Sequence, residues 1–190
     1  EPTETEPTET EPVGAAPEPP FEVGDEVTLG EHTFLVPEGW TAEFITLDDD
    51  DYELLRISNP EDHSLRFLFM DFPESPRTAE LMSAGGICGY FNKPLVEGLN
   101  GDVQELGALP LSFSGDVDIV TCGALGIPDS DTKTYDYAYT VYYDLTRPKA
   151  IAMQARSDWE AYQADEIDKE ITTFYICELA EQTGAVLETC

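Results

Sequence analysis

Residues 134–156 read TYDYAYTVYYDLTRPKAIAMQAR, and the class of the whole chain follows from how this stretch pairs with itself. Its first arm is rich in Tyr, Thr and Val, residues that suit a pleated, half-buried surface. AIAMQAR (150–156) is the return arm. Between them DLTRPK combines Asp, Thr and Pro, residues that turn the chain, so the two arms form an antiparallel hairpin. In a strand, positions i and i+2 share a face. Tyr135, Tyr137, Tyr139, Val141 and Tyr143 therefore line one side, and Asp136, Ala138, Thr140, Tyr142 and Asp144 line the other, which is the wetter by composition. The tyrosine row has two readings. By default it is a core face, packed under Ile171, Phe174 and Tyr175 of a terminal helix with its hydroxyls at the rim. Alternatively Tyr135, Tyr137, Tyr139 and Tyr143 form an open binding face that stacks on a peptide or a glycan, because a dry core does not need four phenols.

Working outward, VQELGALPLSF (103–113) and DVDIVTC (116–122) read as further strands. Near the start, HTFLVPEGW (32–40) is a strand stopped by a turn, with Pro37 and Gly39 at the positions a turn favours. TAEFIT follows. YELLRIS (52–58) and SLRFLFMDF (64–72) flank NPEDH as a second hairpin. Phe67, Leu68, Phe69 and Met70 leave that strand without a polar face, which predicts a central place with cover on both sides. Ser75 before Pro76 is an N-cap, and Ala79, Leu81, Met82, Ile87 and Tyr90 supply a buried helix side, interrupted at Gly85 and Gly86. Ser157 with Glu160 makes a capping-box pattern for a long amphipathic terminal helix carrying Ile167, Ile171, Phe174 and Leu179, with Gly184 as its stop. The expected fold is α+β, an antiparallel β-sheet covered by helices.

The chain has 190 residues and a formal net charge of −31. Residues 1–20, EPTETEPTETEPVGAAPEPP, hold six glutamates, no basic residue and no aromatic one. They cannot bury enough apolar area to offset the entropy of ordering them and read as a disordered Thr/Glu/Pro linker, extended by its prolines. Residues 21–190 read as a single globular domain. The nine basic residues of the whole chain are scattered among forty acids, which argues against nucleic acid and against an anionic membrane surface. Cys88, Cys122, Cys177 and Cys190 form no CxxC pair, which disfavours zinc. An even count in an acidic domain fits two disulfides in an oxidising compartment, with Cys177–Cys190 the preferred pair and Cys88–Cys122 the remainder.

Catalytic signals are few. His32 opens a strand and His63 sits in the NPEDH turn, both read as solvated. GxSxG and HExxH patterns are absent, and GGICG (85–89) lacks the lysine and spacing of a phosphate loop. Paired carboxylates are too common to be a signal. No cofactor is expected. Incidental calcium has two candidate sites, Asp48 to Asp51 and the set Asp129, Asp131 and Asp136, though Lys133 and Thr134 depart from an EF-hand loop.

FLVPEGW at Phe34 to Trp40, with the element order over residues 27–183, resembles the PsbP-like fold found in many secreted actinobacterial lipoproteins. The resemblance implies a non-enzymatic accessory or binding protein, and a lipoprotein would carry its acylated cysteine ahead of the stalk. The expected function is therefore a non-catalytic extracytoplasmic binding or accessory protein, extracellular or cell-surface anchored. Its partner would be a protein, peptide or glycan, with membrane contact only through an anchor outside residues 1–190. An extracellular hydrolase using paired carboxylates is the rival, and a purely structural envelope protein is a second.

Overall fold

The computed structural model describes residues 18–46, 52–61, 65–83, 86–87, 90, 101–114, 116–128, 135–158, 166–188 and 190. Most of the expected linker, residues 1–17, lies outside them. The strands are β1 (Val23–Leu29), β2 (His32–Pro37), β3 (Thr41–Thr46), β4 (Glu53–Ser58), β5 (Arg66–Phe72), β6 (Gly101–Ser114), β7 (Val117–Pro128), β8 (Tyr135–Asp144) and β9 (Lys149–Asp158). Two helices are described, α1 (Pro76–Ser83) and α2 (Glu166–Thr183). A seven-stranded sheet runs β3-β4-β5-β9-β8-β7-β6, and β1 and β2 form a separate two-stranded hairpin. All pairings are antiparallel, so the α+β class read from the alternating pattern holds.

β5 lies between β4 and β9, as its double-sided apolar pattern requires. Phe67 and Phe69 enter one core with Phe34, Ile119, Ile151, Met153 and the α2 residues Ile171, Phe174 and Tyr175. Met70 and Phe72 enter a second core on the opposite face, with Tyr52, Leu81, Ile87, Val141 and Tyr143. In the second core Ala150 stands opposite both Phe72 and Tyr143 in register. A small residue between two large ones lets that layer close without voids.

The terminal helix covers the other face of β8 from the one expected. The Tyr142 hydroxyl donates to the Ile176 carbonyl at 2.7 Å, and Tyr142 is 1% exposed. Tyr142 was assigned to the wetter side because Asp136, Thr140 and Asp144 share it. Its ring is nevertheless buried by α2, and Thr140 beside it is buried too, since a large aromatic with a satisfied hydroxyl outweighs the acids Asp136 and Asp144 near the strand ends.

Ser157 is not a helix cap. It lies in β9 opposite Asp136, because β8 extends far enough to pair with it, and α2 begins at Glu166. Two local signals do act as read. Ser75 Oγ accepts the Thr78 N–H at 3.0 Å, capping α1. Gly184 takes φ +76° after α2 while Ala185 N–H donates to Ala180 C=O and Gly184 N–H to Glu181 C=O, the paired bonds of a Schellman stop. β1 has no counterpart in the sequence reading: it is mostly exposed and carries Gly24, Asp25 and Glu26, so it lacks an apolar alternation.

Cys177 and Cys190 are joined, with S–S 2.03 Å and Cα–Cα 5.5 Å. Cys122 lies on β7 opposite Tyr139, while Cys88 is outside the described residues. Among the described residues no helix is long and apolar enough to cross a membrane.

Candidate functional site

The site is built where the β1–β2 turn caps one end of the first core. Gly30 and Glu31 form the turn, and Gly30 takes φ +59°, a left-handed conformation that glycine adopts without a Cβ penalty. His32, the first residue of β2, points inward and is 6% exposed. Its placement corrects the solvated reading: strand alternation puts His32, Phe34 and Val36 on one buried face. Next to it, Thr33 is gripped from the end of α2. Its N–H donates to Gln182 Oε1 at 2.9 Å, and Gln182 Nε2 donates to the Thr33 carbonyl at 2.5 Å. The Tyr175 hydroxyl adds a bond to the Leu35 carbonyl at 2.7 Å. The hairpin is thereby fastened to the helix by polar bonds as well as by the edge-to-face packing of Phe21, just ahead of β1, on Phe174.

From the sheet below come three charged groups. Lys149 begins β9 and is 9% exposed, and its Nζ lies 2.5 Å from Glu31 Oε2. The bond from Lys149, and then its charge, hold the Glu31 carboxyl below its ordinary value. Asp71 near the end of β5 is 8% exposed, and its Oδ1 is buried without a hydrogen-bond partner. Burial pushes its carboxyl up, against the opposing pull of Lys149. Asp144, at the end of β8, folds the β8–β9 turn around itself. Its Oδ1 accepts from the Thr146 N–H at 2.8 Å and hydroxyl at 2.6 Å, and its Oδ2 accepts from Arg147 Nε at 2.9 Å. Burial pushes the Asp144 carboxyl up, but these bonds outweigh it and hold it down.

These elements enclose a cleft of ≈ 200 Å³ lined by Glu31, His32, Asp116, Tyr142, Arg147 and Lys149, among others. His32 Nδ1 is buried there without a partner. Burial, and then the Lys149 charge, push the imidazole down, toward its neutral form. The cleft therefore presents a buried ammonium, a neutral imidazole and several carboxylates. It can bind polar ligands, and its two threonine hydroxyls are turned to other partners, Thr146 to Asp144 and Thr183 to the Leu179 carbonyl.

Of the sequence-predicted residues, Tyr143 is buried in the second core at 6% exposure, which places it on the core side of the two readings. Tyr135, Tyr137 and Tyr139 hold β8 positions opposite Gly126, Ala124 and Cys122, and their side chains lie outside the described residues. Asp48 to Asp51, Asp129, Asp131 and His63 lie outside them too, and Asp136 is described only as a β8 backbone position. Glu31, Asp71 and Lys149 were missed. Asp71 carried a usable signal, a lone acid in the apolar run FLFMDF. Lys149 carried none, being one more polar residue beside a turn.

No protein-family model matches the chain, and no curated protein does. A solved structure of a Pseudomonas aeruginosa protein of unknown function, PA94, covers 79% of this chain and 93% of its own at 12% identity and a TM-score of 0.40. A likeness that low carries no argument.

Proposed function

We propose that this chain is a non-catalytic binding or accessory domain working outside the cytoplasm, tethered at the cell envelope. The observation that carries the reading is the cleft beneath Gly30 and Glu31, in which a buried lysine is neutralised by an exposed turn residue beside an unpartnered imidazole nitrogen. That arrangement suits holding a ligand, because its polar groups converge on one space. The Cys177–Cys190 bond supports an oxidising compartment. The element order, with FLVPEGW spanning the end of β2 and its turn and a helix closing the chain, is what supports a PsbP-like reading.

The hydrolase alternative rests on Asp71 and Glu178, the described acids whose carboxyls are raised. Asp71 lies against Gly30 and Glu178 against Glu26 and Leu35 further along the hairpin, so they do not form an acid/base couple across one bond. A thermal-shift screen with peptidoglycan fragments, glycans and calcium, run beside a glycosidase and peptidase panel, tests the proposal. Stabilisation by a ligand without its turnover is the expected result. Hydrolysis that is lost in Asp71→Asn would overturn it.

A further inference from the structure

The cleft also indicates what it holds, an inference that rests on the binding reading above. An ammonium as buried as Lys149 needs an anion beside it. Its present anion, Glu31, comes from a turn and has 72% of its side chain exposed. Pairs with so solvated a partner gain little, so Glu31 is a replaceable counterion on a site that is not. His32, its neighbour, lines the cleft with an imidazole whose buried Nδ1 has no hydrogen-bond partner, a costly condition in a folded protein. Arg147 is committed to Asp144, and Asp116 is a further acid that lines the same cleft.

Size and charge narrow the class. At ≈ 200 Å³ the cleft is below the roughly 300–1,000 Å³ of sites for drug-sized molecules. A chain of net charge −31 disfavours the approach of a simple anion, whereas a molecule with no net charge meets no such barrier. We propose that the cleft binds a small zwitterion of the α-amino acid class, its carboxylate replacing Glu31 on Lys149 and its ammonium set against His32 and Asp116.

The test is a titration of the full chain with glycine and L-alanine, read by amide chemical shifts, with acetate and ethylammonium as probes bearing one charge each. Shifts centred on Gly30, Glu31, His32 and Lys149 are expected with both amino acids, at affinities at least about tenfold above those of either control. Glu31→Gln, which frees Lys149, should tighten L-alanine by about tenfold. Lys149→Met should abolish binding, and should that variant fail to fold, Glu31→Gln alone decides. The proposal is overturned if acetate binds as tightly as L-alanine, if Glu31→Gln leaves the L-alanine affinity unchanged, or if no probe shifts these amides. Any of those results leaves the wider binding reading intact, since that reading fails on turnover rather than on ligand class.

Discussion

The Asp71 carboxylate occupies the space a side chain on Gly30 would need: an ideal Cβ built on Gly30 would stand 2.1 Å from Asp71 Oδ2. Two demands for glycine therefore meet at one position, the left-handed φ of the turn and the acid pressed against it. Gly30→Ala should destabilise the protein by on the order of 3 kcal/mol, part from the left-handed backbone and part from the clash. In an Asp71→Ala background the same substitution should cost only the backbone part, about 1 kcal/mol. Urea denaturation of the four proteins gives the coupling directly, and equal costs in both backgrounds would refute the contact.

Glu178 makes stability depend on pH through the helix–hairpin interface. Burial, then repulsion from Glu181 and Glu26, push its carboxyl up to about 7 from an ordinary 4.5, against the hydrogen bond from Leu35. The folded state thus holds a proton that the unfolded chain releases. The stability Glu178 contributes is full below pH 4.5 and is lost as pH rises through about 7. Glu178→Gln should remove that fall, raising stability at pH 8 by on the order of 1 kcal/mol once solvent screening is counted. His32 acts in the opposite sense: its imidazole is pushed below 6.5, so its contribution is lost as pH falls beneath that value. Melting temperatures at pH 5 and pH 8 for the wild type and Glu178→Gln separate the two, and parallel curves would count against the assignment.

The Cys177–Cys190 bond ties the end of the chain to α2 across a separation of 13 residues. Closing a loop of that size stabilises a fold by about 3 kcal/mol in the chain-entropy view. Cys190→Ser should lower stability by up to that amount, and dithiothreitol should have no further effect at this pair. A melting temperature that does not move would show that the bond adds nothing.

Ala150 lies in register between Phe72 of β5 and Tyr143 of β8 in the second core. Ala150→Leu should overpack that layer and cost about 1–3 kcal/mol. Tyr143→Ala in the same chain should recover part of the loss by making room. Denaturation midpoints of the single and double variants check this, and a well-tolerated leucine would mean the layer holds a void.

What could be read without coordinates was local. The period-2 alternation places β2 to β9 because the pleat acts on adjacent residues, and Ser75 and Gly184 end their helices through their own backbones. Cys177 and Cys190 were pairable because they are close in the chain. The site was not legible, because it joins Glu31, His32, Asp144 and Lys149 from the hairpin turn and the ends of β8 and β9, with Asp71 of β5 packed behind the turn.

The linear order of residues thus determined the strands after β1, that they pair antiparallel, and where α1 starts and α2 stops. Tertiary structure alone decided that α2 covers Tyr142 rather than Tyr143, and that Glu31 of the β1–β2 turn meets Lys149 at the start of β9. The reason is that alternation sorts residues into two faces without saying which face a helix will cover, and that strand order follows long-range pairing whose loop-closure cost depends little on chain distance.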